Sequence, residues 1–299
     1  MAVYKKTYRR YDGPLTPRWS RFLVPARYAW EDLRRRRFLT LFFLATLIWP
    51  LLCALGIYVR HNLSALELMG IQAARMVQID SAFFLTFLGF QSMFAFFLNA
   101  FLGPGLVAPD LANNALPLYL ARPFSRTEYI LGRITVLLAL LSLMTWIPGE
   151  ILFGLQAYLE GWDWFSANTR LMGALFAGSA LWIVFLALLS LSVSAWVKWK
   201  PIAGGILFGI FFVAAGFGQA VNSVLRTKWG NLINIGGLVG SIWAALFDKP
   251  GRRGTGAVFF TISRGEEIPV WVCCFTLGLV CLFCLWLLGR KIRGVEVSR

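Results

Sequence analysis

The sequence predicts an all-α membrane protein with six transmembrane helices, an amphipathic interfacial helix before the first and a re-entrant segment before the last. Three observations indicate this class: 58% of the 299 residues are hydrophobic, the mean hydropathy is +0.67, and six separate stretches are long and apolar. A soluble domain has only about 45–50% apolar residues. Each stretch has the roughly 20 residues that cross about 30 Å of hydrocarbon. The stretches are residues 38–59, 82–102, 130–155, 171–197, 202–221 and 268–289.

The charged residues indicate an orientation in a bilayer rather than a nucleic-acid partner. The chain has 29 Lys and Arg against 14 Asp and Glu, and the basic residues flank the apolar stretches. Cytoplasmic flanks of membrane helices are enriched in Lys and Arg. With the N-terminus in the cytoplasm, 20 of the 29 basic residues lie on the cytoplasmic side. We therefore expect an integral protein of the plasma membrane, the inner membrane of a bacterium, with both termini in the cytoplasm.

Residues 229–247 form a seventh apolar stretch, and the sequence leaves its path open. Gly236, Gly237 and Gly240 lie in it, together with Asn231 and Asn234. These residues make a poor lipid-facing helix. If the stretch crossed the membrane, the last helix would be reversed, and the numbers of basic residues on the two sides would stay the same. We favour a re-entrant or protein-packed segment within an external region at 223–267.

The segment before the first apolar stretch, residues 25–37, predicts an amphipathic helix at the cytoplasmic interface. Apolar residues recur there at helical spacing, and charged residues occupy the other positions. The candidate interfacial residues are Trp30, Leu33, Arg34 and Arg35. The predicted domain order is a basic cytoplasmic tail at 1–24, the interfacial helix at 25–37, a transmembrane domain at 38–289 and a cytoplasmic tail at 290–299.

No motif for nucleotide binding or catalysis is present in the sequence. No stretch matches the phosphate-binding pattern G-x-x-x-x-G-K-[ST]. His61 is the only histidine, and the five cysteines lie inside apolar stretches, where small apolar packing residues are expected. We therefore expect no enzyme activity, no cofactor and no metal site in this chain.

The connection between the second and third apolar stretches, residues 103–133, has the most informative composition. It reads GPGLVAPDLANNALPLYLARPFSRTEYILGR. Asp110, which follows Pro109, is expected to cap a short helix. Ser125 and Glu128 have the capping-box spacing that satisfies the first free amides of a helix, so the third transmembrane helix should begin there.

The run from Asp110 to Arg133 resembles the cytoplasmic loop of ABC-2-type ABC transporter permeases. It has the pattern D-x(5)-L-x(3)-L-x-R-P-x-S-R-x-E-Y-x-x-G-[RK]. The amphipathic N-terminal helix, the long partly apolar segment before the last span and the short basic tail fit the same family. The resemblance covers nearly the whole chain, although only the loop is specific.

This resemblance implies a permease subunit that forms the substrate pathway, acts as an exporter and is coupled to a separate ATPase subunit. That ATPase would bind ATP and Mg²⁺, and the working unit would include a second permease copy or a paralogue. The ATPase would dock against a coupling loop at 104–128 and against the amphipathic helix. Membrane lipid is the other expected partner, and no nucleic acid is expected.

Roles for individual loop residues also follow from the resemblance. Arg122 and Arg126 would pair with acidic groups of the ATPase or with lipid phosphate. Leu116 and Leu120 would fill a groove on the ATPase, and Asp110 and Ser125 would hold the backbone shape. The coupling-loop candidates are Asp110, Leu116, Leu120, Arg122, Pro123, Ser125, Arg126 and Glu128. The plainer interpretation is a cytoplasmic turn that follows the positive-inside rule.

Polar residues inside the spans are the other candidates. Glu150 is a possible pathway residue because an ionisable group inside a membrane is costly and seldom retained without a use. It follows Pro148 and Gly149, which should break the third span, and it could instead lie at the outer interface. Five further polar residues are expected to form interhelical hydrogen bonds rather than substrate contacts. They are Gln91, Asn99, Ser190, Ser192 and Ser194.

Two other functions remain open at the level of sequence. The first is a membrane-embedded enzyme acting on lipid-linked substrates, with Asp80, Glu150, Glu160 and Asp163 as candidate carboxylates. The second is an ion-driven secondary transporter, for which the expected repeats with matching discontinuous helices are not visible. The sequence does not identify the cargo.

Overall fold

The computed structural model describes residues 17, 20, 23–62, 78–113, 125–248 and 268–291. Every regular element in these ranges is helical, and the predicted all-α class is confirmed. The helices are α1 Leu23–Arg35, α2 Arg37–Thr46, α3 Ile48–His61, α4 Ser81–Leu102, α5 Pro104–Ala112, α6 Arg126–Met144, α7 Trp146–Glu160, α8 Trp162–Trp196, α9 Lys200–Leu225, α10 Ile235–Leu246 and α11 Val270–Lys291. A 3₁₀ helix at Trp229–Leu232 precedes α10.

Six helical segments are long and apolar enough to cross a membrane, as predicted. The first three are each built from two consecutive helices, α2 with α3, α4 with α5, and α6 with α7, whereas α8, α9 and α11 are each a single helix. The segments are Arg37–His61, Ser81–Asp110, Thr127–Glu160, Trp162–Trp196, Lys200–Leu225 and Val270–Lys291. At most ends they extend the predicted apolar stretches, by up to nine residues, because the helices continue beyond the apolar stretches.

Helix α8 is the core of the bundle. In its most apolar window 72% of the residues are buried, against 17% for the first segment and 22% for α9 and α11. It packs against seven other helices, α4 to α7 and α9 to α11. The outer helices present large apolar side chains outward, such as Leu51, Val213 and Trp271. This distribution is the one expected of a helical bundle whose surface faces lipid.

The two ends of the bundle are defined by contacts between distant segments. At the Asp110 end, Asp110 contacts Arg133. Arg36 and Lys200 line a cavity together with this pair. At the opposite end, called the His61 end, Nε2 of His61 lies 3.3 Å from the Glu160 carboxylate.

Prolines determine where the first and third segments break. Helix α2 ends at Thr46 and α6 ends at Met144, and in each case a proline is the third residue of the following helix. Proline has no amide proton, and its ring clashes with the carbonyl four residues earlier. The break in the third segment therefore lies at Thr145, one turn before the Pro148–Gly149 position that the sequence suggested.

A serine of α8 is inserted into the backbone of α5. The hydroxyl of Ser194 accepts a hydrogen bond from the amide of Ala108 at 2.9 Å and donates one to the carbonyl of Pro104 at 3.0 Å. A regular α-helix joins these two backbone groups to each other. Ser194 therefore bridges two backbone groups of the helical turn directly before Pro109.

Other polar residues inside the spans also bond between helices, as predicted. In this set a side chain of one helix bonds to a group of another helix. Asn99 donates to the Leu186 carbonyl at 3.3 Å, Ser190 donates to Asn99 at 3.1 Å, Ser192 donates to the Cys284 carbonyl at 2.9 Å, and Gln91 donates to the Thr46 carbonyl at 3.4 Å. These bonds give the four side chains partners on other helices, whereas Oε1 of Gln91 is buried with no partner among the described residues.

The seventh apolar stretch begins and ends at the same end of the bundle. Helix α10 has 12 residues, which gives it a length of about 18 Å, too short to cross a bilayer. Before it, the amide of Gly230 donates to Asn222 near the end of α9 at 2.7 Å. After it, Asp248 pairs with Arg170 in the first part of α8. Both contacts lie toward the His61 end, and the placement of this segment within a membrane stays a prediction.

The direction of α11 agrees with this path. The amine of Lys291 lies 5.0 Å from the centroid of the Trp196 ring, and the indole of Trp196 donates to the Leu287 carbonyl at 3.4 Å. The last residues of α8 and α11 are therefore neighbours at the Asp110 end. A seventh crossing would have reversed α11 and placed its last residues at the His61 end.

The bridge made by Ser194 is expected to contribute to stability. Replacing it in the Ser194→Ala variant leaves the Ala108 amide and the Pro104 carbonyl buried without this partner, at a cost of about 1–3 kcal/mol. The matched control is Ser223→Ala, because the exposed Ser223 bonds to the Ala220 carbonyl of its own helix and to no other group of the described residues. Free energies of unfolding from denaturant titration in mixed micelles would measure the difference. Equal effects of the two substitutions would contradict the bridging role.

Candidate functional site at the Asp110 end

Asp110, Tyr129 and Arg133 form a polar cluster that joins the end of α5 to the start of α6. The Tyr129 hydroxyl donates to Oδ2 of Asp110 at 2.7 Å, and Nη2 of Arg133 donates to the same oxygen. Tyr129 and Arg133 are four residues apart, so they share one face of α6. The guanidinium of Arg133 also lies 5.3 Å from the centroid of the Tyr129 ring.

The cluster is nearly buried. The side chain of Arg133 is 11% exposed, that of Asp110 is 16% exposed, and Tyr129 is fully buried. Nε of Arg133 is buried and has no hydrogen-bond partner among the described residues. A buried guanidinium with a carboxylate partner and one free donor can bind a further anion.

The predicted capping box at the start of α6 is confirmed. The amide of Glu128 donates to the hydroxyl of Ser125 at 3.2 Å, and the amide of Ser125 donates to the carboxylate of Glu128 at 2.6 Å. This reciprocal pair satisfies two amides that a helix start leaves free. It fixes the residue at which the chain enters α6.

The expectation that Asp110 caps a short helix is wrong. Helix α5 begins at Pro104 and continues through Pro109 to Ala112, so Asp110 lies inside it. Pro109 does not end the helix, and Ser194 binds backbone groups of the turn before it. The Asp110 carboxylate is therefore available to α6 instead of capping its own backbone.

Several candidates of the coupling loop lie outside the described residues. They are Leu116, Leu120, Arg122 and Pro123, whereas Arg126 is the first residue of α6 with its side chain not described. Their proposed contacts with an ATPase stay predictions. The described part of the loop motif, Asp110, Ser125, Glu128, Tyr129 and Arg133, lies at the two ends of the segment 114–124.

Helix α1 packs beside this cluster. It contacts α2 and α6. The indole of Trp30 lines a cavity of about 230 Å³ together with Phe43 and Leu140, and Arg35 is exposed. Leu33 and Arg34 lie in the helix, but their side chains are outside the described set. The predicted helix at 25–37 is thus present at Leu23–Arg35, and its position at a membrane surface stays a prediction.

A second cavity, of about 300 Å³, opens at the cluster itself. Among the described residues, its charged lining comes from four places: Asp110 from α5, Arg133 from α6, Lys200 from α9, and Arg36 from the bend between α1 and α2. Three of these four side chains are basic. Both arginines and the lysine face a space that also has apolar walls.

Glu150 lies in α7, away from the Asp110 end. Its side chain is half-buried, and Oε2 is buried with no hydrogen-bond partner among the described residues. It lines neither of the two cavities described above. Its role as a pathway residue stays a prediction.

Two other carboxylates of interest have structural partners. Asp80 caps α4 by accepting from the amides of Ala82 and Phe83 at 3.0 and 3.1 Å. Glu160 contacts His61 and accepts a hydrogen bond from Gln156. Within the part of the chain that the structure describes, no three His, Cys, Asp or Glu side chains come together as metal ligands.

Sequence reasoning missed the joint role of Tyr129, Arg133, Arg36 and Lys200. Tyr129 and Arg133 stand in the loop motif at helical spacing, so a shared face could have been recognised. Arg36 and Lys200 were counted only as flanking charges. No local signal indicates that they meet, because 163 positions separate them in the sequence.

Comparison with known proteins does not assign a family. No protein-family model matches the chain, and no curated protein is found to be similar to it.

Removing the negative charge of the cluster should destabilise the protein. The Asp110→Asn variant leaves Arg133 buried without a counter-charge, at an expected cost of about 3–5 kcal/mol in the free energy of unfolding. The matched control is Asp248→Asn, because Asp248 and Arg170 are 66% and 62% exposed. An exposed pair contributes less than about 1 kcal/mol. The same micelle titration measures both variants, and a small effect at Asp110 would show that the pair is not structural.

Proposed function

We propose that this chain is the permease subunit of an ABC-2-type ABC transporter, an exporter of the bacterial inner membrane. It forms the substrate pathway together with a second permease copy or a paralogue. ATP hydrolysis takes place in a separate ATPase subunit, which binds the ATP and Mg²⁺. Both termini of the permease lie in the cytoplasm, at the Asp110 end.

The observation that carries the proposal is the clamp on the loop motif. Asp110 and the pair Tyr129 and Arg133 stand at opposite ends of the motif and bond to each other. The residues on the two sides of the segment 114–124 are therefore joined by one buried cluster. A held loop supports a docking role, because a force on it acts on α5 and α6 together rather than only bending a free turn.

The clamp offers a route from the loop into the bundle. Helix α5 is joined through Ser194 to the central helix α8. Helix α6 continues to the break at Thr145 and then to α7. Motion of the loop would in this way tilt two segments against α8, with the breaks as hinges. Binding energy at the ATPase would supply the work.

Helix α1 is the second proposed docking element. It packs on α6, and Arg27, Tyr28 and Arg35 on it are exposed. An ATPase that binds both α1 and the loop would contact two neighbouring elements, because α1 packs on α6 and α6 begins directly after the loop. This arrangement agrees with the two contact regions implied by the sequence resemblance.

The outer face of α9 is the proposed surface for a second permease. Gly205, Gly209 and Gly216 lie four and seven residues apart, and a methyl group added at any of them would meet nothing within 4 Å. Phe212 and Val213 on the same helix are exposed. Small residues at such spacing let two membrane helices approach closely. Either a second copy of this chain or a paralogue could supply the helix that packs on this face of α9.

Copurification tests the permease assignment. The tagged full chain, extracted in mild detergent from its native host, should bring down a separate soluble ATPase whose ATP turnover depends on the permease. A tagged membrane protein of unrelated function from the same host is the control. If the chain purifies alone and catalyses a reaction alone, the assignment fails and an enzyme acting on lipid-linked substrates is favoured.

Charge reversal in the loop tests the docking site. Arg122→Glu together with Arg126→Glu should weaken association with the ATPase at least tenfold, because acidic partner groups would be repelled. The matched control is Arg226→Glu together with Lys228→Glu. It reverses the same number of positive charges, but directly after α9, at the His61 end of the bundle. Membrane insertion should be unchanged in both variants. Association of wild-type strength after reversal at Arg122 and Arg126 would show that the loop is only a turn.

A further inference from the structure

Glu150 is an acidic side chain far from either end of its spanning segment. Helices α6 and α7 form the segment Thr127–Glu160, and Glu150 lies ten residues before its last residue, or about 15 Å along the helix axis. That last residue, Glu160, contacts His61 at one end of the bundle. With this end at a membrane interface, Glu150 lies near the middle of a hydrocarbon layer that is about 30 Å thick.

The helices around Glu150 bring no counter-charge to it within the described part of the chain. Helix α7 packs against α3, α4, α6 and α8. The charged residues on or directly before these helices are Arg60, His61, Asp80, Arg126, Glu128, Arg133, Asp163 and Arg170. Apart from Arg170, all of them lie within the first or last eight residues of a spanning segment or directly before it. No ion pair among the described residues includes Glu150.

Arg170 of α8 is engaged elsewhere. A methyl group added at Gly149 would lie 3.3 Å from the Leu175 side chain, so Glu150 and Leu175 are at similar levels. Arg170 lies five residues from Leu175 toward the His61 end, or about 7.5 Å along the helix. Its guanidinium bonds to Asp248 and donates to the Ala245 carbonyl at 3.5 Å. Arg170 therefore holds the end of α10 and leaves Glu150 without a cation.

The surroundings of the Glu150 carboxyl are apolar on the outer side of α7. Glu150 and Gly154 are four residues apart and share a helix face. Gly154 is exposed, and a methyl group added there would meet nothing within 4 Å. The neighbouring Ile151 is 65% exposed. The carboxyl therefore lies between the bundle and the space that acyl chains fill in a membrane.

An ionised carboxylate is unfavourable in these surroundings. Oε2 of Glu150 is buried and has no hydrogen-bond partner among the described residues. A charge without water, donor or counter-charge has a much higher free energy in an apolar medium than the neutral acid, and the group binds a proton instead. A proton is thus the ligand that this position can take without a second charged group.

We propose that Glu150 is a proton-binding site, and that the membrane-embedded protein carries it at pH 7 as a neutral carboxylic acid in contact with acyl chains. The break between α6 and α7 at Thr145 lies five residues before it. A tilt of α7 at this break moves the carboxyl relative to the hydrocarbon, and contact with water releases the proton. The site depends on the membrane embedding of the chain and not on the permease assignment.

Infrared spectroscopy of the full chain in lipid nanodiscs at pH 7 tests the protonation state. A glutamic acid side chain in water is ionised at this pH. The difference spectrum between wild type and the Glu150→Gln variant should show the loss of the carbonyl band of a protonated carboxyl. The matched control is Glu160→Gln in the same helix, which should lose the band of an ionised carboxylate because Glu160 contacts His61. Loss of an ionised carboxylate band in Glu150→Gln would overturn the proposal.

The same variant separates a neutral acid from a required negative charge. Glutamine is neutral and has nearly the shape of the protonated side chain, so Glu150→Gln should leave the unfolding midpoint in mixed micelles unchanged. A decrease as large as that of Asp110→Asn would show that the fold depends on an ionised Glu150, against the proposal. Size-exclusion chromatography checks that the variant is folded.

Modification by dicyclohexylcarbodiimide tests the contact with hydrocarbon, because this apolar reagent partitions into the bilayer. The carboxyl proton passes to one reagent nitrogen, the carboxyl oxygen bonds to the central carbon, and the acyl group then moves to a nitrogen, so the product keeps all atoms of both reactants. Peptide mass spectrometry should find the added mass on Glu150 and not on Glu160, and the Glu150→Gln variant should stay unmodified. An unmodified Glu150 in the wild-type protein, or equal modification of Glu160, would overturn the proposed site.

Discussion

Satisfaction of backbone hydrogen bonds at the helix breaks is the constraint on which the architecture depends. In hydrocarbon an unpaired amide or carbonyl has no water to bind, so every interruption of a helix needs an internal partner. Helix α8 supplies the partner at the most interrupted place, where the hydroxyl of Ser194 lies between the Ala108 amide and the Pro104 carbonyl. At the break after α2 the partner comes from α4, where the Gln91 amide donates to the Thr46 carbonyl.

The breaks, in turn, position the polar groups of the Asp110 end. Because α5 continues through Pro109 to Ala112, the helix carries Asp110 past the proline to the first turns of α6. A helix that stopped at Pro109 would leave the carboxylate outside a regular element. The buried cluster of Asp110, Tyr129 and Arg133 thus depends on the continuation of α5 beyond its proline.

Local features of this fold could be predicted from sequence, and long-range ones could not. The six spans, the capping box of Ser125 and Glu128, and the bonding role of Asn99 and Ser190 follow from residue type and short spacing. The role assigned to Asp110 was wrong because its partners Tyr129 and Arg133 lie 19 and 23 residues away, and Pro109 suggested a helix start. The neighbourhood of Arg36 and Lys200 depends on the packing of α9 beside α5, which no local pattern encodes.

Arg133 offers the cluster more donors than Asp110 uses. A guanidinium has five donors in a fixed plane, and Nη2 binds Asp110 while Nε remains without a partner among the described residues. The single ammonium group of a lysine could not bind Asp110 with the same geometry. The centroid of the Tyr129 ring lies 5.3 Å from the same guanidinium, and the Tyr129 hydroxyl donates to the same carboxylate oxygen. The three side chains therefore hold the end of α5 against the start of α6 as one unit, which a single ion pair would not do.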